Sequence, residues 1–362
     1  MTRVLFFSSV IDGGSPLSQR TLAHALIERG HEVKFLVDDQ RRAPVSRLIG
    51  EQFADASVRF SGSNLLASAA AIPGGRPTNT AIDELDHWTS PHPHNALLRV
   101  MDEFAPDIVV GNSVDGHSWW RAVEICRSRG AGTILYLREM EAMGHLKRSE
   151  SPADIVVGNA RTLVAAAEQL GHRCEFVPSV IDVSTTRTET SRSSALLINV
   201  FPSRGIELGI EVARRCPGIP FIFQESWPLE TEDRIALERR LASLENVEFR
   251  QRQEAGPHLY RTARVLLAPH RVDNRPRVIV EAQANGIPAI TSQYPGLREA
   301  AGNDGLWFQE DDVDAWADTL SHIWEDERYY GELVARAERA ASRPELNPRM
   351  VVDAFERLMS SV

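Results

Sequence analysis

The sequence predicts an α/β protein of two domains, each built around an open parallel sheet, and three observations lead there. Short apolar runs recur along the chain, too brief for helices and suited to parallel strands buried on both faces. Stretches with helical apolar spacing alternate with them, so that strand, helix and strand follow one another. The chain has 362 residues, enough for two domains of common size.

In chain order, Val4 to Ser9 reads as the first strand and Leu17 to Arg29 as a helix, with Leu22, Ala25 and Leu26 apolar and Gly30 as its cap. Val33 to Val37 is the second strand of this βαβ unit. The turn between strand and helix is Ile11-Asp12-Gly13-Gly14-Ser15-Pro16. Its two glycines let the backbone come close to a ligand at a helix N-terminus, though a plain tight turn uses them equally well. It is not GxGxxG, which argues against a dinucleotide-binding dehydrogenase.

Pro73 to Pro93 reads as a Gly/Pro/His-rich insertion, the kind of loop that shapes an acceptor site. Its His92 and the nearby His94 read as exposed loop histidines, because no third ligand stands at a useful spacing. Asp107 to Gly111 and Gly132 to Leu137 are further strands, the second followed by Arg138, Glu139 and Glu141. An arginine at a strand's carboxyl end either clamps an anion bidentately or pairs with Glu139 or Glu141 at the surface. Then come another strand, Asn159 as a helix cap, an Ala/Leu-rich helix, and a strand around Cys174 to Val177. Residues 183–194, rich in Ser and Thr and without periodicity, read as the linker.

The second domain opens with Ala195 to Asn199, followed by a turn carrying Arg204 and Gly205. A cation is ordinarily unfavourable at a helix start, so Arg204 there asks for an anion. Val247 to Phe249 leads to Arg250 and Arg252. The densest signal is 264–296: a strand Val265 to Ala268, a polar loop with Asp273, Asn274, Arg275 and Arg277, and a helix with Pro276 at its first position. Val278 and Glu281 lie on that helix, Gly286 and Pro288 end it, and a strand Ala289 to Thr291 leads to the turn Tyr294-Pro295-Gly296. In an open parallel sheet, ligands sit at the carboxyl ends of strands, where helix N-termini also point. From Asp311 the chain reads as helical, with Trp316, Leu320 and Ile323 on a core face.

At Asp273 and Glu281, with seven residues between them and followed by Ala282 and Gly286-Ile287-Pro288, the sequence resembles the retaining, nucleotide-sugar-dependent glycosyltransferases of the GT-B fold, family 4. In those relatives the first acid is Glu, followed by an aromatic residue and a Gly, where this chain has Asp273, Arg275 and Pro276. Relatives have Arg and Lys around the first turn of the second domain, at the positions of Asn199 and Arg204, and usually His then an acid at Arg138 and Glu139. The Gly13-Gly14 pair is also family-like.

The resemblance implies two Rossmann-like, doubly wound domains facing a central cleft. Residues 1–182 would form the acceptor-side domain, 183–194 the linker, and 195–346 the nucleotide-sugar domain, with a helix in 347–362 returning to the first domain. It implies transfer of a sugar from a nucleotide diphosphate sugar, UDP-sugar by family frequency, to an acceptor hydroxyl with retention and without metal or cofactor. Arg204 would offset the charge of the departing diphosphate, Asp273 would hold sugar hydroxyls and Glu281 the ribose. The implied donor-binding set is Gly13, Gly14, Arg138, Asn199, Arg204, Arg252, Asn274, Arg275, Pro276, Arg277, Val278 and Glu281. The departures keep open a non-catalytic or partner-dependent sugar-nucleotide-binding protein, and the fold alone would also suit a sugar-nucleotide epimerase or a phosphorylase.

Composition narrows the partners. Net charge is −10 and no long basic run exists, so the electrostatic footprint of a nucleic-acid binder is missing. Cys126, Cys174 and Cys216 lie far apart and outside any CxxC spacing, which supports neither a disulfide framework nor a zinc site. No signal peptide and no membrane-spanning apolar run is read, giving an expected cytoplasmic location with a peripheral membrane contact left open. The acceptor, whether small molecule, glycan or lipid-linked sugar, has no signature.

Overall fold

The computed structural model describes residues 1–8, 13–38, 77–90, 93–112, 116–148, 152–303 and 305–362. The chain divides into two compact units, one of residues 1–180 with 351–362 and one of 181–350. Elements are numbered in chain order among the described residues.

The first unit carries β1 (Arg3–Ser8), α1 (Gly14–Glu28), β2 (Glu32–Asp38), β3 (Thr78–Ile82), β4 (Leu85–Ser90), α2 (Pro93–Phe104), β5 (Ile108–Asn112) and α3 (Gly116–Ser128). It continues with β6 (Gly132–Leu137), α4 (Ala142–Leu146), β7 (Ile155–Gly158), α5 (Arg161–Gln169) and β8 (Cys174–Phe176). The sheet order is β3-β4-β2-β1-β5-β6-β7-β8. Pairing is parallel except between β3 and β4. The apolar runs are explained by burial on both faces. Leu5 and Phe7 of β1 enter one core while Val4 and Phe6 enter the other, as a period of two requires.

The second unit carries β9 (Ser194–Ile198), α6 (Ile206–Arg215), β10 (Phe221–Gln224), α7 (Thr231–Leu241), β11 (Val247–Arg250) and β12 (Ala263–Ala268). It continues with α8 (Arg277–Ala284), β13 (Ala289–Ser292), α9 (Pro295–Ala301), β14 (Leu306–Phe308), α10 (Val313–Glu325) and α11 (Glu327–Ala341). Its parallel sheet runs β11-β10-β9-β12-β13-β14, the order of a doubly wound nucleotide-binding fold. Ala195 and Leu197 of β9 face one core, Leu196 and Ile198 the other. The expected face of α10 is buried, through Trp316, Leu320 and Ile323. The closing helix α12 (Pro348–Met359) joins the first unit from Val351. Its Val351, Phe355 and Met359 lie four apart, in one cluster with Val4, Phe6 and Leu22.

Three expectations are corrected. The stretch read as a loop insertion contains the antiparallel hairpin β3–β4, whose two turn residues Asp83 and Glu84 both have positive φ. Residues 73–76, 91 and His92 of that stretch lie outside the described residues, as does the side chain of His94. Residues 183–194, read as the linker, are bonded to the second unit. Asp182 accepts from the Ser184 N–H at 2.9 Å, Thr188 N–H donates to Asn285 at 2.7 Å, and Thr190 donates to the Ala263 carbonyl at 2.6 Å. Its hydroxyls are divided between the local turn, where Ser184 and Thr185 bond Asp182, and distant backbone, where Thr190 bonds Ala263, which is why no periodicity appears. The cap of α5 is Ala160, in extended conformation, while Asn159 Nδ2 reaches Ser179 Oγ at 3.4 Å. Pro276 is the N-cap of α8, with Arg277 first in the helix.

Candidate functional site

Neighbouring strands β9 and β12 of the second unit send their chains in opposite directions, which opens a crevice at their carboxyl ends. The loop after β9 starts at Asn199, whose φ of 77° is left-handed, a conformation that Asn tolerates better than most residues. Its N–H is fixed to the Gln224 carbonyl at 2.9 Å. A 3₁₀ turn, Pro202–Arg204, then leads into Gly205, with φ 79°. A Cβ on Gly205 would lie 1.9 Å from the carbonyl oxygen of Pro269, at the end of β12. Only glycine permits that approach. Arg271 N–H bonds the Ser203 carbonyl at 2.9 Å, closing the two loops on each other. Arg204 and the 269–278 segment, distant in sequence, therefore share one edge.

Arg204 is buried, its guanidinium carbon 4.7 Å from the ring centroid of Trp227. Beside it stands His270, also buried, with Nδ1 3.2 Å from Asn274 Oδ1. Burial, reinforced by the Arg204 charge, pushes the imidazole pKa down to about 3, so His270 is neutral over the physiological range. Asn274 thus orients a histidine.

The two acids differ in setting. Asp273 is half-buried and its Oδ1 accepts the Gly296 N–H at 2.7 Å, capping the start of α9. Burial raises its pKa, against the opposing pull of that bond. Glu281 is buried on α8 with both oxygens engaged: Oε1 accepts from Arg277 Nε at 3.0 Å and Oε2 from the Tyr260 hydroxyl at 2.7 Å. Burial first, and then the Glu281 charge, hold the Tyr260 hydroxyl well above its usual pKa. Arg275 is buried 3.5 Å from Glu299 Oε1. Val278 is half-buried against the apolar cluster around Ile279. The N-cap residue of α8, Pro276, makes no side-chain hydrogen bond to the helix, and the first amides carry the helix's positive end.

Arg252 has an exposed side chain, but its N–H is held by Glu225 Oε2 at 3.2 Å. Glu225 is fully buried and also accepts from Leu229 N–H and Arg234 Nη2, both at 2.8 Å. Burial alone would raise its pKa; the Arg234 bond and the amide bonds outweigh that and keep it low.

In the first unit, Gly13 (φ 111°) is the N-cap of α1, and Asn112 Nδ2 at the end of β5 donates to Ser15 Oγ at 2.7 Å. These residues mark the switch between β1 and β5. Arg138 is not a surface residue. It is buried after β6, its Nη1 donating to Ser179 Oγ at 2.8 Å and its guanidinium carbon 4.1 Å from the Tyr136 ring centroid. Trp227, His270, Tyr260 and Glu225 were not read from the sequence. Only His270 had a signal, its place directly after a strand that ends in Pro269. Among the described residues no group of three His, Cys, Asp or Glu side chains could hold a metal ion, and no helix is long and apolar enough to cross a membrane.

Residues 230–326 match the family described as Glycosyl transferases group 1. No curated protein matches the sequence. Among solved structures, the chain is similar to HepE from Anabaena in complex with UDP-glucose, at a TM-score of 0.74 and 15% identity over 100% of both chains. Sucrose-phosphate synthase from Thermosynechococcus elongatus has a TM-score of 0.74 at 14% identity, over 100% of this chain and 99% of that one. The pneumococcal O-GlcNAc transferase GtfA, in complex with UDP and GlcNAc, has a TM-score of 0.70 at 10% identity over 99% of both. The two parallel α/β sheets are those of a GT-B fold.

Proposed function

We infer that the chain is a glycosyltransferase of group 1, which moves a sugar from a nucleotide diphosphate sugar to an acceptor hydroxyl with retention of anomeric configuration. The observation that carries this reading is the closure of Gly205 on Pro269, which puts Arg204 at one strand edge with the loop of Asp273 and the N-terminus of α8. A buried cation and aligned amides at one edge suit the charge that develops on a departing diphosphate. Arg204 is assigned to that charge, and Asp273, through the oxygen not given to Gly296, to the sugar hydroxyls. Glu281 is assigned to the ribose end, its orientation set by Arg277 and Tyr260. Asn199, Asn274, Arg275, Pro276, Val278 and the backbone at Arg252 complete the donor side in the second unit. In the first unit the Gly13-Gly14 turn and Arg138 stand at the carboxyl edge of their own sheet, which is assigned to the acceptor side. A UDP-sugar is the preferred donor, because HepE and GtfA are found with UDP-glucose and with UDP and GlcNAc.

Thermal stability against a panel of nucleoside diphosphates tests the reading without an acceptor. A ligand at about 100 times its dissociation constant adds roughly 2.7 kcal/mol. UDP is expected to raise the melting temperature most. A folded protein that no nucleoside diphosphate stabilises would sink the proposal.

A further inference from the structure

We propose that Trp227 is a positioning residue for Arg204, the two forming a matched pair in which the aromatic face makes arginine, rather than lysine, the cation this site can use. The inference rests on the nucleotide-sugar reading above and names the part of the site that serves it.

Arg204 ends the 3₁₀ turn after β9, while Trp227 comes from the segment after the neighbouring strand β10. The guanidinium carbon stands 4.7 Å from the Trp227 ring centroid. The same indole meets Phe201, at the cap of that turn, edge-on, with centroids 5.5 Å apart and planes at 63°. One ring therefore touches both ends of the turn that carries the cation. The ring is itself held on either side along the chain. Two residues before it, buried Glu225 accepts the N–H of Leu229, two residues after it, at 2.8 Å, which closes the segment into a loop around Trp227. Arg234 Nη2 holds the same carboxylate oxygen at 2.8 Å.

A guanidinium lying over an aromatic face has its plane fixed, and its N–H groups fan out in that plane to meet two oxygens of a phosphate. An ammonium over the same face keeps the charge but has no plane to fix.

The test is a double-mutant cycle read in binding. UDP and UMP affinities are measured by calorimetry for the wild type, Trp227→Leu, Trp227→Phe, Arg204→Lys and the double variant Trp227→Leu/Arg204→Lys. Losing the stack is expected to weaken UDP about tenfold, with a smaller effect on UMP, so the UDP-to-UMP preference falls. Trp227→Phe restores most of it. The double variant is no weaker than the worse single variant, since each removes the same interaction. Wild-type binding of UDP with an unchanged preference in Trp227→Leu, equal losses for UDP and UMP, or strictly additive losses would overturn the pair alone. A folded wild type that binds no nucleoside diphosphate would overturn the donor reading and the pair with it.

Discussion

Tyr260 donates its hydroxyl hydrogen to Glu281 Oε2 at 2.7 Å, and both side chains are buried. A carboxylate without water needs such partners, because each hydrogen bond lost there leaves a desolvated charge unpaired. Tyr260→Phe is expected to lower the unfolding free energy by about 1–3 kcal/mol and to weaken UDP binding through a tilted Glu281. Urea denaturation and calorimetry check the two effects. Full stability in the variant would mean the bond contributes nothing.

The same burial decides how Glu281 itself is probed. Glu281→Ala would break the buried ion pair with Arg277, a break that typically costs about 3–5 kcal/mol, so lost activity would be confounded with unfolding. Glu281→Gln keeps the size and one acceptor oxygen. It is expected to fold and to bind UDP more weakly than wild type, with UDP-dependent stabilisation as the readout. Undiminished stabilisation would remove Glu281 from the donor site.

Gly205→Ala places a methyl group where the Pro269 carbonyl oxygen lies, at a residue whose φ is 79°. The left-handed backbone alone costs about 1–2 kcal/mol, and the clash adds to it by pushing the β9 and β12 loops apart. A drop in melting temperature together with loss of UDP stabilisation is expected. Gly218→Ala, where nothing lies within 4 Å of the new methyl group, is the control and should change stability by no more than about 0.5 kcal/mol. Equal behaviour of the two variants would contradict the close approach.

His270 makes stability depend on pH. Its folded pKa is about 3 against an ordinary 6.5, so below pH 6.5 the unfolded chain takes up a proton that the folded protein refuses. The contribution is fully present above 6.5 and is lost progressively as pH falls toward 3. At pH 5 the loss is about 2 kcal/mol. His87, whose pKa burial also lowers, adds to the same trend. His270→Gln is therefore compared with wild type at pH 7.5 and 5.0 by urea denaturation. The wild type should lose more stability across that interval, and parallel losses would refute the buried neutral imidazole.

Asp273→Ala removes the acceptor for the Gly296 N–H, worth about 1 kcal/mol as a helix cap, while Asp273→Asn retains an oxygen there. Melting temperatures should order as wild type, Asn, Ala. If Asp273 also holds the sugar, both variants will change the order in which UDP-sugars compete for the site. An unchanged order would leave Asp273 with the helix alone.

Most strands of the two sheets were legible because parallel strands buried on two faces must be continuous apolar runs, as in Val4 to Phe7 or Val265 to Ala268, whereas the short β10 and β14 were not read. Nor was the hairpin β3–β4. Thr78 to Ala81 is exposed and so lacks an apolar run, and Asp83 and Glu84 turn the chain with positive φ where a glycine would have announced it. Within the site, Arg204, Asp273 and Glu281 could be located from motif and order along the chain. Their partners could not, because Tyr260 lies 21 residues from Glu281 and Trp227 meets Arg204 from another strand. Pairing across a sheet edge leaves no spacing to read. The buried state of Arg138 was hidden for the same reason, its hydroxyl partner Ser179 being 41 residues away.

The return of α12 to the first unit bears on how the protein is made. The second unit, 181–350, is continuous in sequence and can acquire its whole core as soon as it leaves the ribosome. The first unit is emitted earlier but stays unfinished, since Val351, Phe355 and Met359 join Val4, Phe6 and Leu22 only once residues 351–359 emerge. The usual order of synthesis, N-terminal domain first, is thereby inverted at completion. A chain stopped short of Val351 would leave an apolar face of its first domain uncovered.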